Sequence, residues 1–127
     1  MNRAKMKIAL VVENHPDLLD LLTLQLKMLG FAVTSATNGT EGVEKAIEEK
    51  PHLILMDIMM LGMDGREATR IIRSNRETHD IPILAATALF RKSDLSSCLE
   101  AGCNDYLVKP FTFKELKGKI HDFIPSA

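Results

Sequence analysis

The sequence predicts an α/β fold, an open and doubly wound sheet of five parallel strands with five helices. Two observations predict it. Five short apolar runs alternate along the chain with five segments of helical periodicity, which is typical of a parallel sheet with crossover helices. The runs that begin at Ile8, Leu53 and Ile83 contain almost only apolar residues, as expected for strands covered on both faces. These three strands are therefore predicted to be central.

The strand boundaries follow from the ends of the apolar runs. The predicted strands are residues 7–12, 32–37, 53–57, 81–87 and 105–108. The first helix is predicted over residues 16–30 because Pro16 suits a first helical turn and Gly30 suits a C-terminal end. Its apolar face repeats every three or four residues and comprises Leu18, Leu22, Leu26 and Leu29.

The next two helices have clear start signals and faces. The second is predicted over residues 39–50, with Asn38 as its N-cap and Pro51 ending it. In the third helix, three apolar residues are predicted to face inward and three arginines to form a solvated outer stripe. The inward set is Ala68, Ile71 and Ile72, and the stripe is Arg66, Arg70 and Arg73.

The last two helices differ in their apolar content. The fourth, residues 92–101, has few apolar residues, mainly Leu95, Cys98 and Leu99, and is therefore a candidate moving element. The fifth, residues 112–123, has a fuller inward face. That face comprises Phe113, Leu116, Ile120 and Phe123.

Length and charge limit the possible functions. A chain of 127 residues with 46% hydrophobic residues and a net charge of -1 is predicted to form one domain over residues 1–127. The balanced charge gives no sign of a nucleic-acid or membrane partner. Cys98 and Cys103 fit no metal-ligand spacing and are predicted to be reduced thiols. The first apolar run is too short for a signal peptide, so a cytoplasmic protein is expected.

Polar residues gather at the predicted strand ends. Glu13 and Asn14 follow the first strand, Asp57 ends the third, Thr87 ends the fourth and Lys109 follows the fifth. The carboxyl ends of parallel strands share one edge of a sheet, where α/β proteins bind ligands. Each residue alone is most simply an ordinary loop, cap or strand residue. Their joint placement predicts one pocket.

The chemistry of this set suits a phosphate and a metal. Glu13, Asn14 and Asp57 supply oxygens of the kind that Mg²⁺ prefers, Lys109 supplies a compact cation, and Thr87 supplies a hydroxyl donor. Asp57 is the best nucleophile, because a carboxylate is ionised at neutral pH and needs no base. The sequence thus predicts a phosphoryl-transfer site.

Three segments carry a resemblance to a known family. Residues 53–65 (LILMDIMMLGMDG), 85–88 (AATA) and 106–111 (YLVKPF) resemble the phosphoacceptor strand, the switch segment and the Lys-Pro signature of response-regulator receiver domains. The resemblance covers essentially the whole chain. It implies a flavodoxin-like sheet of order 2-1-3-4-5.

The resemblance also implies roles for individual residues. Asp57 would accept a phosphoryl group from a histidine kinase or a histidine phosphotransfer protein, and Lys109 would bind its oxygens, followed by a cis bond to Pro110. Mg²⁺ would be held by four groups. They are the side chains of Glu13, Asn14 and Asp57 and the backbone carbonyl of Met59.

A conformational switch is part of the same resemblance. Thr87 would turn toward the phosphoryl group and Tyr106 would move inward behind it. This movement would reshape the face formed by the fourth helix, the fifth strand and the fifth helix, where a downstream protein would bind.

The sequence departs from the family pattern at three places. Asn14 replaces a second acidic residue, so Mg²⁺ is expected to be held about tenfold more weakly in the resting state. Leu61 replaces a proline, which makes its loop less rigid. Met59 and Leu89 occupy positions that in this family border the path of the hydrolytic water, and because both are apolar, slow self-dephosphorylation is expected.

Two other functions remain open at this point. One is a degenerate receiver that acts only by docking to partners, which the neutral Asn14 would suit. The other is a hydrolase with an aspartyl nucleophile, which Met59 disfavours because such phosphatases place a second Asp there. Beyond self-catalysed phosphoryl acceptance and slow autodephosphorylation, no enzyme activity is expected.

Overall fold

The structure, a computed structural model, describes residues 6–124 and shows one five-stranded sheet with helices on both faces. All strands are parallel, in the order β2-β1-β3-β4-β5, so the predicted fold class and strand order are confirmed. The elements are β1 (Ile8–Val12), α1 (Pro16–Met28), β2 (Ala32–Ala36), α2 (Gly39–Glu49), β3 (Leu53–Asp57), α3 (Gly65–Ser74), β4 (Ile83–Thr87), α4 (Lys92–Ala101), β5 (Asp105–Val108) and α5 (Phe113–Phe123).

Alternation along the central strands divides the core into two layers. In β3, Leu53 and Leu55 pack with α1 and α5, whereas Ile54 and Met56 point to the opposite face. Successive side chains of a strand point to opposite faces of the sheet, so a strand covered on both sides must be apolar throughout. Helices α2, α3 and α4 cover the second face. The predicted central strands β1, β3 and β4 are central in the structure.

The end of α1 shows how local sequence sets an element boundary. The Phe31 N–H donates to the carbonyl of Leu26 (3.1 Å) and the Gly30 N–H to that of Lys27 (3.0 Å). Gly30 has a φ of 96°, a conformation that a side chain would make costly. These two bonds form a Schellman motif, and Leu26 and Phe31 are both buried beside it. The predicted role of Gly30 is confirmed.

Three strand boundaries differ from the prediction by one or two residues. β1 begins at Ile8, β2 ends at Ala36 and β4 begins at Ile83 instead of position 81. The late start of β4 has a simple cause, because Pro82 has no N–H for the ladder. Its carbonyl still accepts a hydrogen bond from the Ile54 N–H at 2.9 Å.

Two predicted inward-facing residues are exposed instead. Ile71 on α3 and Leu99 on α4 both face solvent, so these two assignments are wrong. In α4, the buried residues are Cys98 and Ala101 alone. The expectation that α4 is thinly packed therefore holds, even though one of its predicted contacts does not.

The predicted arginine stripe of α3 is also only partly correct. Arg70 is exposed, but Arg66 donates from Nη1 to Ser97 Oγ of α4 at 2.8 Å. Arg73 donates from Nε to the Gly102 carbonyl (2.9 Å) at the end of α4 and from Nη1 to the Ile81 carbonyl (2.7 Å). Arg66 and Arg73 thus connect α3 to α4 by hydrogen bonds. These bonds supplement the few apolar contacts that α4 makes with the core.

The structure agrees with the prediction that both cysteines are reduced thiols. Cys98 and Cys103 are free and buried, and burial raises the pKa of the Cys103 thiol to about 11. Within the described residues, none of the helices combines the length and apolar character needed to cross a membrane.

Candidate functional site

Strand register brings the predicted site residues to one edge of the sheet. Val12 of β1 pairs with Met56 of β3, so the next residues in each strand direction, Glu13 and Asp57, lie side by side. Asp57 pairs in turn with Ala86 of β4. The sheet geometry alone therefore places the acidic residues of β1 and β3 together.

Lys109 reaches the same edge from β5. Thr87 pairs with Val108 at the ends of β4 and β5, and the Lys109 N–H donates to the Thr87 carbonyl at 2.7 Å. This bond extends the ladder by one residue and fixes the backbone of Lys109 beside β4. The peptide bond between Lys109 and Pro110 is cis, as the sequence resemblance implied.

A single ammonium group joins the two carboxylates. Lys109 Nζ donates to Glu13 Oε1 at 2.9 Å and to Asp57 Oδ1 at 3.1 Å. Glu13 is 2% exposed and Asp57 is 3% exposed, so both acids lie in a low-dielectric environment where charge interactions are strong. Residues separated by 96 positions in sequence thus form one ionic cluster, which we call the Asp57 cluster (Glu13, Asp57 and Lys109).

Burial raises the pKa of Asp57 above its ordinary value. The charge and hydrogen bond of Lys109 act in the opposite direction, and the nearby negative charge of Glu13 raises the pKa of Asp57 further. The net direction is upward, because removing a carboxylate from water disfavours its charged form. Additional positive charge near Asp57 would therefore stabilise the ionised form of its carboxylate.

The backbone of Asp57 is held from behind by the start of α3. The Gly65 N–H donates to the Ile58 carbonyl at 2.9 Å. A β-carbon at Gly65 would lie 2.8 Å from Ile58 Cα, closer than van der Waals contact allows. Only glycine permits α3 to begin this close to the strand that carries Asp57.

Thr87 lies at the edge but its hydroxyl is engaged elsewhere. The side chain is fully buried, and its Oγ1 accepts a hydrogen bond from the Leu89 N–H at 3.0 Å. This bond keeps the hydroxyl within the loop that follows β4. The geometry places Thr87 beside the Asp57 cluster without joining it.

Tyr106 is half-buried against the core layer under α3 and α4. Lys119 Nζ lies 5.9 Å from its ring centroid and forms an ion pair with Asp105 at 2.8 Å. A lysine over an aromatic ring interacts favourably with it. Tyr106, a residue of β5, thus contacts Lys119 of α5 and lies on the face that the resemblance assigns to a downstream protein.

Asn14 and Met59 lie at the open side of the site. Both are exposed. Glu13 Oε2 accepts the N–H of His15 at 3.0 Å, and His15 Nδ1 caps α1 by accepting from the Leu18 N–H at 3.4 Å. His15 therefore has a capping role in this structure.

The donor set suits a hard cation that keeps water ligands. Within residues 6–124, no group of three or more His, Cys, Asp or Glu side chains could hold a metal. Two carboxylates, an amide and a backbone carbonyl remain, from Glu13, Asp57, Asn14 and Met59. Mg²⁺ commonly uses one or two carboxylates with phosphate and water completing its shell, so these residues fit Mg²⁺.

The pairing of Glu13 with Lys109 was not foreseen from the sequence. Glu13 was expected to serve a metal and Lys109 a phosphoryl group, each as a separate role. Their opposite charges at strand ends of one sheet edge were the available signal. The sequence does not show that one ammonium reaches both carboxylates, because that depends on the strand order and side-chain reach.

Comparison with known proteins gives a consistent result. The family model described as "Response regulator receiver domain" matches residues 9–121. The chain is 33% identical to the DNA-binding dual master transcriptional regulator RpaA of Synechocystis sp., over 93% of this chain and 52% of that protein. It is 35% identical to the probable transcriptional regulator ycf27 of Pyropia yezoensis, over 100% of this chain and 51% of that protein.

The chain spans about half the length of these curated relatives. The name of the Synechocystis protein describes DNA binding by that protein as a whole. The expectation that the present chain binds no nucleic acid therefore stays a prediction, as does its cytoplasmic location.

Two solved structures superpose closely on the fold. A receiver domain of a sensor histidine kinase from Pseudomonas aeruginosa PAO1, with a magnesium ion coordinated in its active site cleft, has a TM-score of 0.88 and 36% identity, covering 95% of this chain and 99% of that one. A putative response regulator from Chloroflexus aurantiacus J-10-fl has a TM-score of 0.90 and 30% identity, with the same coverage of both chains.

Proposed function

Because the chain belongs to the response regulator receiver domain family, we propose that it accepts a phosphoryl group on Asp57 and signals through protein contacts. The donor would be a histidine kinase or a histidine phosphotransfer protein. One observation supports this function most directly: Lys109 Nζ lies within hydrogen-bond distance of both Glu13 and Asp57. A buried nucleophile with a fixed cation beside it is what phosphoryl transfer requires.

The transfer step follows from this geometry. A carboxylate oxygen of Asp57 attacks phosphorus, a new O–P bond forms, and the N–P bond to the donor histidine breaks, leaving its electron pair on the imidazole nitrogen. The carboxylate needs no general base, because it is the ionised form that attacks. Lys109 already lies beside the oxygen of Asp57, so its ammonium can neutralise charge on the transferred group without reorganisation.

A magnesium ion fits the same site. Glu13, Asn14, Asp57 and the Met59 carbonyl would hold it, and when bound it would supply positive charge to the phosphoryl oxygens. The related Pseudomonas receiver domain holds a magnesium ion in its cleft. Because Asn14 is neutral, the resting protein would bind the ion weakly, and the negative charge gained on phosphorylation would strengthen binding.

Thr87 and Tyr106 would report the modification. Thr87 would exchange its bond with the Leu89 N–H for one to the phosphoryl group, which frees the loop that precedes α4. Tyr106 would then move inward, and the α4/β5/α5 face would change shape for a downstream protein. The thin packing of α4 supports this role, since few buried contacts resist its movement.

The direct test is phosphorylation by a small donor. The chain is incubated with acetyl phosphate and Mg²⁺ and its intact mass is measured. We expect the mass of one phosphoryl group to be added, and no addition to Asp57→Asn. Asp80→Asn is a matched control, because Asp80 is an exposed acid remote in sequence from the Asp57 cluster, and it should gain the group as the native chain does.

Each alternative function has its own outcome in this test. A native chain that gains no mass at any Mg²⁺ concentration would favour a degenerate receiver that acts by docking alone. A gain on Asp57→Asn equal to the native gain would place the acceptor elsewhere. The hydrolase needs a parallel assay, in which continuous turnover of a generic phosphate ester would indicate that function.

A further inference from the structure

Helix α4 is held unevenly along its length. Its two buried residues, Cys98 and Ala101, lie in its C-terminal half. Its first turn begins with exposed Lys92 and Ser93, and its N-cap residue makes no side-chain capping bond. A helix that is buried at one end and exposed at the other resists movement mainly at the buried end. Polar contacts with neighbouring elements therefore contribute most to the position of its N-terminal half.

Arg73 of α3 fixes the C-terminal end of α4. Its Nε donates to the carbonyl of Gly102, the C-cap residue, at 2.9 Å. Its terminal nitrogens donate to the Ile81 carbonyl at 2.7 Å and to Asn104 Oδ1 at 2.8 Å. A guanidinium held by several partners has little freedom to leave any one of them. The end of α4 at Gly102 is thus a fixed point.

Arg66 of α3 contacts the middle of α4 by a single bond, from its Nη1 to Ser97 Oγ at 2.8 Å. The rest of the guanidinium pairs with Asp64, through Nε to Oδ1 at 3.0 Å and through Nη2 to Oδ2 at 2.8 Å. This two-point pairing fixes the plane of the guanidinium and directs Nη1 toward α4. We call the bond between Arg66 and Ser97 the α4 clasp.

The α4 clasp extends from the strand that carries Asp57. Asp64 caps α3, and the next residue, Gly65, donates its N–H to the Ile58 carbonyl directly after that strand. The approach is too close for any side chain at Gly65, so the start of α3 and the end of β3 pack as one unit. Arg66 thus connects a rigid part of the molecule beside Asp57 to a weakly held helix.

The regulatory role of this bond rests on the proposed function, in which Thr87 releases the loop before α4. We propose that the α4 clasp opposes the movement of α4 that this release permits, with Arg66 as a positioning residue. Helix α4 would turn about its fixed end at Gly102, and Ser97 would leave Arg66. The clasp occurs together with the bond from the Leu89 N–H to Thr87 Oγ1, so both contacts belong to one conformation.

A contact that is made in only one of two conformations favours that conformation. Without the clasp, a larger fraction of the chain would adopt the moved position of α4 before any phosphoryl group is bound. Because coupling between two sites is reciprocal, the same chain would bind a phosphoryl analogue at Asp57 more tightly. The loss of one hydrogen bond changes such an equilibrium about threefold to tenfold.

The first test is the affinity for beryllofluoride, which mimics an acyl phosphate, at a fixed Mg²⁺ concentration. Ser97→Ala removes the clasp and leaves Arg66 paired with Asp64, so we expect it to bind beryllofluoride about threefold to tenfold more tightly than the native chain. The amide shifts of α4 in the ligand-free variant should move toward those of the bound native chain. A purely structural bond would give unchanged or weaker binding.

Ser96→Ala is the matched control for this substitution. Ser96 is the exposed neighbouring serine of the same helix, and its replacement should leave the affinity unchanged. The control is needed because Ser97→Ala also removes the bond from Ser97 Oγ to the Asp94 carbonyl, which lies within α4. Tighter binding by Ser96→Ala equal to that of Ser97→Ala would trace the effect to helix propensity and overturn the proposal.

Arg66→Met tests the same bond from α3. The variant keeps an unbranched apolar stem and loses the guanidinium, and it should also tighten the binding of beryllofluoride. Adding Ser97→Ala to Arg66→Met should have little further effect, because both substitutions remove one bond. Arg70→Met, at an exposed position one turn along α3, should bind like the native chain. Fully additive effects of the two clasp substitutions would overturn the proposal.

Hydrogen exchange tests the clasp without any ligand. In Arg66→Met, amides in the N-terminal half of α4 should exchange faster than in the native chain. Those of Gly102 and Cys103, at the end held by Arg73, should exchange as in the native chain. A native chain that binds no beryllofluoride would reject the proposed function, whereas unchanged exchange throughout α4, or unchanged affinity in Ser97→Ala, would reject the clasp.

Discussion

The two sides of Asp57 differ in polarity, in exposure and in how firmly they are held. On one side, Glu13 and Lys109 are held at the ends of β1 and β5 and bonded to each other at 2.9 Å. On the other side, the loops after β3 and β4 expose apolar side chains to solvent, namely those of Met59, Leu61 and Phe90. Hydrogen bonds hold the polar side chains in place, whereas these three apolar side chains are exposed. Under the proposed function, this division would separate the chemistry of the site from its regulation.

The difference has a structural cause. The polar side is anchored by backbone ladders, which continue through the Glu13 N–H to the Ala36 carbonyl at 3.0 Å and through Lys109 to Thr87. The apolar side leads into α4, whose N-cap residue Arg91 makes no side-chain capping bond. Rigid scaffolds favour catalysis and weakly held elements favour switching, so each side suits a different task.

The largest expected effect comes from removing the cation on the polar side. Lys109→Met should slow phosphorylation by acetyl phosphate roughly 100-fold, the usual cost of losing one preorganised group that stabilises charge. The rate is measured by intact mass against time. Lys114→Met, at an exposed position of α5, should react like the native chain. A native-like rate for Lys109→Met would show that the polar side does not assist phosphoryl transfer.

A smaller effect is expected from making the apolar side polar. Met59→Asn combined with Leu89→Glu should accelerate loss of the acyl phosphate roughly tenfold or more, because these side chains can then orient a water molecule by hydrogen bonding. Decay of the phosphorylated species in Mg²⁺ is followed by intact mass. An equal or slower rate in the double variant would reject the idea that apolar residues prolong the signal.

Thr87→Ala should separate the rate of phosphorylation from the conformational response to it. We expect phosphorylation to slow only about threefold, since the hydroxyl lies outside the Asp57 cluster and contributes one hydrogen bond at most. The amide chemical shifts of α4 and of Tyr106 should respond to phosphorylation in the native chain and not in the variant. Matching shift changes in both chains would mean that the switch does not depend on this hydroxyl.

The smallest effect concerns stability. Because burial raises the pKa of Asp57 in the folded state, the folded protein at neutral pH holds a charged group that it disfavours relative to the unfolded chain. Without Mg²⁺, Asp57→Asn should therefore be more stable than the native chain. The gain should be complete above the folded-state pKa and should vanish as the pH falls below the ordinary value of 3.8. Chemical denaturation across this pH range measures it, and a destabilised variant at neutral pH would contradict the assignment.

The architecture could be predicted from the sequence because each strand and helix is marked by its own short sequence signal. Apolar runs marked the strands, and Gly30 and Asn38 marked helix ends that the structure confirms. The site residues could be proposed from their positions after strands, since parallel topology brings those positions to one edge. Their convergence in the structure follows from the same rule.

Contacts between elements are less predictable from the sequence than the elements themselves. Arg73 was expected in solvent, but its guanidinium reaches the Gly102 carbonyl and Asn104 Oδ1, at 2.9 and 2.8 Å. Ile72 lies within the buried face of α3, whereas Ile71, about 100° around the helix from it, lies outside that face and is exposed. Such contacts depend on the packing of one helix on another, which periodicity in a single segment does not encode.

Under the proposed function, the Asp57 cluster receives the phosphoryl group. The most direct measurement is a crystal structure of the chain with Mg²⁺ and beryllofluoride, an analogue of the acyl phosphate. We expect beryllium bonded to a carboxylate oxygen of Asp57, with Lys109 Nζ in contact with a fluorine atom and the metal bound between Glu13 and Asp57. Beryllofluoride bound to another side chain, or bound at Asp57 with Lys109 turned away, would contradict it.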